Sequence, residues 1–171
     1  MRPHLSALTM AGLLEARPRV GYYYAGNTSN SLVAKTLRKV KVKDIKGLPG
    51  VVKESTSVYD AIVLLFLEDV GTLFVVEDGG YLVGIVSRKD FLKSCLGEAD
   101  MQRIPIGVVM TRLPSIIFSE PEESVLDAAR KIIEYQVDSL PVVRSEPKGR
   151  LKVIGRITKT NITKLVMELG G

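Results

Sequence analysis

Gly84-Ile85-Val86-Ser87-Arg88-Lys89-Asp90 reappears 71 positions later as Gly155-Arg156-Ile157-Thr158-Lys159-Thr160-Asn161. Each stretch runs along an apolar strand, through Ser or Thr, into a segment of helical pattern. Working outward from it, Gly71-Thr72-Leu73-Phe74-Val75-Val76 matches Asp138-Ser139-Leu140-Pro141-Val142-Val143 at a spacing of 67. Further upstream, Ser57-Val58-Tyr59-Asp60-Ala61 matches Ser124-Val125-Leu126-Asp127-Ala128, again at 67. The change from 67 to 71 puts four extra residues in the second copy near Ser145-Glu146-Pro147-Lys148-Gly149, a hairpin tip where insertion is tolerated. Order and spacing kept through three segments establish an internal duplication.

Each copy reads as strand, helix, strand, turn, strand, helix, a mixed α/β (α+β) unit of β-α-β-β-α type. The short first strands are expected at Val51-Val52 and Ile116-Ile117. Val58, Ala61, Ile62, Leu65 and Phe66 trace one helix face, matched by Val125, Ala128, Ala129, Ile132 and Ile133. The first hairpin turns at Asp78-Gly79-Gly80, where glycine supplies positive φ. Closing helices follow Ser87 and Thr158, with Phe91, Leu92 and Leu96 in one and Ile162, Leu165 and Val166 in the other. One unit of this size buries too little surface to be stable alone, so the copies are expected to pack as a pseudo-twofold pair enclosing two related clefts.

These segments resemble the CBS domain family over about 47–170. The resemblance rests on the two Ser-Val-x-Asp-Ala helix starts, on Ser139-Leu140-Pro141-Val142-Val143, and above all on the two Gly-x-hydrophobic-[Ser/Thr]-x-x-[Asp/Asn] segments. The last of these makes chemical sense as a nucleotide clamp. Gly84 lets the backbone approach a ligand closely. Ser87 stands where strand gives way to helix, so its hydroxyl and the free N–H groups can face a phosphate. Asp90 lies one turn along the same face, where a carboxylate can accept from both hydroxyls of a ribose. The same Ser-x-x-Asp spacing is also that of a helix capping box.

The resemblance implies that adenine packs against backbone before the second strand, at Gly71, Thr72 and Leu73 and at Asp138, Ser139 and Leu140. It implies that Lys53 and Ser119, on the first strands, border the same clefts. Arg88, Lys89, Arg112, Arg156 and Lys159 are candidates to meet phosphates, each with the alternative of a solvated surface charge. Thr158 and Asn161 form the second clamp, in which Asn replaces Asp. Charge-assisted hydrogen bonds are roughly twice as strong as neutral ones, so the Ser87/Asp90 site is expected to bind more tightly. The expected ligand is an adenine nucleotide (AMP, ADP or ATP), with no metal required. So many cations near the clamps disfavour S-adenosylmethionine.

Composition bounds the rest. The chain has 171 residues, 46% of them hydrophobic, one Cys and a net charge of +5. No apolar run approaches the roughly 18 residues that span a bilayer, and the start lacks a signal-peptide core. A single Cys, Cys95, makes neither an intrachain disulfide nor a zinc site by itself. A cytoplasmic protein without membrane association is expected. Residues 1–46 carry nine Lys or Arg against Glu15 and Asp44, a segment charge of +7 that leaves −2 for the remainder. Such asymmetry suggests a polyanionic partner, with a solvated basic linker as the alternative.

Residues 1–25 lie outside the repeat. A short helix over 3–10, then two strands around Arg17-Pro18-Arg19 up to Tyr22-Tyr23-Tyr24, read as the C-terminal part of a winged helix-turn-helix. Arg2 and His4 on the helix, with Arg17 and Arg19 at the wing tip, are the DNA-contact candidates. The run Arg2-Pro3-x-Leu5-x-x-Leu8-Thr9-Met10-x-Gly12-x-Leu14-Glu15-Ala16-Arg17-Pro18-Arg19-Val20-Gly21-Tyr22, joined to the repeat pair, resembles the CcpN-like family, the control catabolite proteins of gluconeogenesis. That resemblance covers essentially the whole chain. It implies an adenine-nucleotide-reading CBS pair in a homodimeric DNA-binding repressor of gluconeogenic genes. It also implies that the family's DNA-binding domain begins upstream of residue 1, so the chain as it stands should bind DNA weakly and without much specificity.

The expected organisation is therefore a winged-helix remnant over 1–25, a linker over 26–46, one CBS domain over 47–98 and a second over 99–170. The alternative function is a stand-alone energy-sensing adaptor acting on a protein partner. Catalysis is not expected: the one His, His4, lies outside the repeats, and Cys95 has no base near it in sequence.

Overall fold

The computed structural model describes residues 14–17, 21–24, 32–97 and 100–171. Strands β1 (Leu14–Arg17) and β2 (Gly21–Tyr24) form an antiparallel hairpin with Leu14 opposite Tyr24 and Arg17 opposite Gly21, as expected for the wing. The helix expected over 3–10, and with it Arg2 and His4, lies outside the described residues, as do Arg19 and residues 25–31 of the linker.

The remaining elements, in chain order, are α1 (Leu32–Lys39), α2 (Val42–Ile45), β3 (Val51–Val52), α3 (Val58–Leu67), β4 (Thr72–Glu77), β5 (Tyr81–Ser87) and α4 (Arg88–Cys95). After them come β6 (Thr111–Arg112), α5 (Val125–Glu134), β7 (Ser139–Glu146), β8 (Arg150–Thr158) and α6 (Lys159–Gly170). One sheet joins both copies in the order β3-β4-β5-β8-β7, with β6 added along β5.

The duplication is visible in local chemistry. Ser57 accepts from the Asp60 amide at 3.0 Å and Ser124 from the Asp127 amide at 3.1 Å, so the repeated Ser-Val-x-Asp-Ala segments are helix N-caps. Both inner hairpins carry a register shift at the same place, between Val75 and Val76 and between Val142 and Val143. In each, the residue before the shift faces a glycine, Gly84 or Gly155. The first strands need one correction. Ile116 and Ile117 lie in no strand, and the counterpart of the parallel Val52–Val75 pairing is a single bridge between Ser119 and Val142. The repeat spacing of 67 places Val51-Val52 on Phe118-Ser119, two residues beyond the apolar pair that drew attention.

Helix faces are narrower than expected. Val58, Ala61 and Leu65, and Val125, Ala128 and Ile132, are buried, whereas Phe66 is 82% and Ile133 72% exposed. In the closing helices Phe91 and Leu165 are buried, while Leu92, Leu96 and Val166 are exposed. The pair therefore presents an outer apolar helix surface.

The cores are exchanged between the copies. Ile106 and Met110, which precede the second copy, complete the core of the first around Val58, Leu65, Leu73 and Phe91. Val42, which precedes the first copy, completes the core of the second with Ala128, Ile132, Leu140 and Ile157. The backbone follows the same rule: the Val42 amide donates to the Glu123 carbonyl at 2.9 Å, and the Ile106 amide to the Thr56 carbonyl at 2.8 Å. Residues 40–46, expected as linker, are thus part of the second copy's structure. Phe74, Leu82, Ile116 and Val143 form a third cluster from both copies.

Candidate functional site

At the ends of β5 and β8, strand gives way to helix in the same way. The Ser87 amide and hydroxyl both donate to Asp90 Oδ2 at 2.8 Å. The Thr158 amide and hydroxyl donate to Asn161 Oδ1 at 3.0 and 2.7 Å, and Thr158 Oγ1 accepts from the Asn161 amide at 3.1 Å. The capping box and the clamp are therefore one arrangement: the cap fixes the side chains at the helix mouth. Among the described residues, Asp90 Oδ1 has no protein partner and remains able to accept from a ligand.

A cavity of about 460 Å³ opens at the first of these mouths and draws on both copies. The first copy contributes Thr72, Ile85, Ser87, Arg88, Lys89 and Asp90, and β6 adds Thr111. The second contributes Asp138 and Ser139, together with Tyr135, Gln136 and Val137 from the end of α5; Ser115, Ile116 and Ile117 form a further wall. This size lies within the range of small-ligand sites. Asp138 is held below the ordinary carboxylate value by its hydrogen bond from Lys159, 2.8 Å away; burial opposes this, and the charges of Lys159, Lys89 and Arg88 reinforce it. Two cations of the first copy thus act on a carboxylate of the second across the cavity, which suits a ligand carrying hydroxyls at one end and phosphate at the other.

Of the residues singled out from sequence, Ser87, Asp90, Thr72, Arg88, Lys89, Asp138 and Ser139 line this cavity. Gly71 lies behind it, with the Arg88 guanidinium 2.8 Å from where a Cβ would stand. Leu73 and Leu140 are core residues with no more than 1% exposure, as alternation along a strand requires of the neighbours of Thr72 and Ser139. Thr158 and Asn161 lie outside this cavity, at the matching helix mouth of the second copy. Lys159 is taken up by Asp138. Lys53 stands apart, paired with Asp78 at the hairpin tip at 2.6 Å. Arg112 is held by Glu54 and by the Gly107 carbonyl. Arg156 lies over Gly47, with which it exchanges backbone hydrogen bonds.

Ser119 is fully buried, and its Oγ is the one buried side-chain polar atom without a partner among the described residues. Gly84 and Gly155 do not approach a ligand. A Cβ at Gly84 would collide with Met110, and one at Gly155 would lie 2.7 Å from Lys46 Cδ and 3.1 Å from the Gly47 carbonyl oxygen. The glycines admit the exchanged segments.

Tyr135, Gln136 and Val137 escaped the sequence reading. They follow a helix end rather than a motif, and their signal was positional only: 67 residues earlier stand Glu68, Asp69 and Val70. No group of three or more His, Cys, Asp or Glu side chains able to hold a metal occurs among the described residues. No helix among them is long and apolar enough to cross a membrane.

A duplicated β-α-β-β-α sheet with exchanged lead-in segments and a shared polar cleft defines a class: the chain belongs to the CBS domain family, which matches residues 37–97 and 106–168. The first match begins ten residues before the boundary read from sequence and the second seven residues after it, and each takes in an exchanged segment. Within that class the chain belongs to the family of the transcriptional repressor CcpN of Bacillus subtilis (strain 168). The two are 50% identical over 169 residues, 99% of this chain and 79% of that protein. Among solved structures, the chain is similar to CBSX2 in complex with AMP, with 31% identity, a TM-score of 0.62, and coverage of 77% of this chain and 98% of that one. It is also similar to the CBS domain pair of protein MJ0100 in complex with 5′-methylthioadenosine and S-adenosyl-L-methionine. There the identity is 28%, the TM-score 0.64, and coverage 76% of this chain and 98% of that one.

Proposed function

We propose that the chain is the adenine-nucleotide-sensing regulatory part of a DNA-binding transcriptional repressor, coupling AMP, ADP or ATP to control of gluconeogenic or central carbon genes. The observation that carries this reading is the cavity shared by the copies, with Ser87 and Asp90 on one side and Asp138 and Ser139 on the other. A ligand seated there touches both copies, so its affinity depends on their relative arrangement. A ligand shifts such an equilibrium only by its differential affinity for the two arrangements. Couplings of roughly 1–3 kcal/mol change DNA affinity about 5- to 150-fold. Supporting the reading are the AMP complex of CBSX2 and the repressor role that CcpN carries in its name.

DNA is contacted through the N-terminal domain, of which β1 and β2 form the wing. Two chains pair through the outer apolar helix surface of Phe66, Leu92, Leu96, Ile133 and Met167, as two-fold operators favour. The chain is a cytoplasmic regulator without catalytic activity, and binding needs no metal.

Calorimetric titration with AMP, ADP, ATP and S-adenosylmethionine, on the wild type and Asp90→Ala, tests the reading. Binding of an adenine nucleotide that Asp90→Ala abolishes is the expected result. Absence of binding by all four ligands would leave the pair as a dimerisation scaffold and end the sensor reading.

A further inference from the structure

The two clefts are built on one plan, and one position breaks the symmetry between them. Glu68 and Tyr135, 67 residues apart, close α3 and α5 with the same backbone, at φ −94° and −91°. Each is followed by a left-handed residue, Asp69 at φ 48° and Gln136 at φ 53°, the conformation that ends helices. Then the Val70 and Val137 amides return to the Leu65 and Ile132 carbonyls, both at 3.1 Å. The same loop therefore presents Tyr135 to the cavity at Asp90 and Glu68 to the repeat-related position beside Gly50.

Resting on the nucleotide-sensor reading, we propose that this position decides which cleft accepts a nucleotide: Tyr135 covers the base in the cleft at Asp90, and Glu68 bars its counterpart at Asn161. Tyr135 lines the shared cavity with its side of the wall completed by Ile116 and Ile117. Half of its surface is exposed, so a ring face is open to a ligand. Aromatic faces stack on any base, because every base has a π-face. In the other cleft the counterpart of Ile117 is Gly50, and the Glu68 carboxylate oxygen lies 3.1 Å from where a Cβ at Gly50 would stand. The wall that is isoleucine and tyrosine on one side is thus glycine and carboxylate on the other. A base entering there would strip water from a charge, which is costly without a partner. Asp69, in place of neutral Gln136, adds a second negative charge against a phosphate. Two cations stand on that side, the Arg88 guanidinium over Gly71 and the Arg156 guanidinium beside Asn161 at Gly47. Asn161 in place of Asp90 further removes the charged acceptor for a ribose.

Titration of the full chain with AMP tests both halves. One AMP per chain is expected, and Tyr135→Ala should weaken binding roughly tenfold or more, whereas Tyr135→Phe, which keeps the ring, should stay within about twofold. Glu68→Tyr should raise the stoichiometry from one to two. Thermal melts of each variant confirm that it is folded. Two equivalent AMP sites in the wild type, or a Tyr135→Ala variant with wild-type affinity in a chain that Asp90→Ala inactivates, would overturn the inference and leave the sensor reading standing. A Glu68→Tyr variant that still binds one AMP would overturn the part assigned to Glu68. Failure of the wild type to bind AMP, ADP or ATP would instead remove the sensor reading itself.

Discussion

Asp90 uses one carboxylate oxygen for the fold, while the other has no partner among the described residues. Oδ2 accepts from the Ser87 amide and hydroxyl, which is what a capping box needs. Asn can keep that cap, as Asn161 does for Thr158, so Asp90→Asn should change the unfolding free energy by less than about 1 kcal/mol. It should nevertheless weaken nucleotide binding about tenfold, because a charged acceptor becomes neutral. Parallel denaturant melts and titrations separate the two effects, and an equal loss in both would show Asp90 to be structural only. At Asp138 the expectation concerns pH. Its carboxyl lies below its ordinary value of 3.8 because Lys159 donates to it, so the pair stabilises the fold above that pH and the benefit fades as pH falls through the lower, folded value. Asp138→Asn should therefore be less stable than the wild type near neutrality and indistinguishable from it in strong acid. Both side chains are more than half exposed, so screening keeps the gap to about 1 kcal/mol at most.

At the scale of elements, the sequence was informative where chemistry repeats. The two N-caps and the capping boxes before α4 and α6 are each set by residues within one turn, and all were legible. What stayed hidden was set by partners far along the chain. Val42 looked like linker because nothing near it in sequence completes a core, yet it has no exposure and packs on Ala128 and Ile132. Gly84 looked ligand-facing because its contact, Met110, lies far away in sequence. Arg112 looked like a phosphate ligand and Lys53 like a cleft-border residue because the sequence does not show that Glu54 and Asp78 take them first.

Two measurements follow from these placements. Val42→Ala should cost about 1–3 kcal/mol in denaturant unfolding despite its position outside the repeat. A wild-type midpoint would mean that α2 is only loosely attached. Gly155→Ala should cost about 1–3 kcal/mol as well, because the Gly47 carbonyl that a Cβ would press on belongs to the ladder with Arg156. Unchanged stability there would mean that the exchanged segment yields freely.

For the molecule as a whole, the copies are joined at more than the cleft. Tyr81 of the first hairpin donates to Glu146 of the second at 2.7 Å, and Arg150 stacks 4.1 Å from its ring. That hydrogen bond, with some burial, pushes the Tyr81 phenol above its ordinary value. Because each core borrows a segment from ahead of the other copy, damage should appear on the opposite partner. Removing residues 1–46 should lower hydrogen-exchange protection first in α5 and β8, not in α3 and β5. Loss confined to the first copy would contradict the exchange of segments.

The same exchange fixes how the front of the chain is carried. The helix α1 rests on α5, and α2 rests on α6 and on the turn before α5, where the Val42 amide donates to the Glu123 carbonyl. Both helices are therefore moored to the copy farther from them in sequence. The helix α5 thus holds the lead-in segment along its side and a wall of the cavity at its end, one beam under two loads.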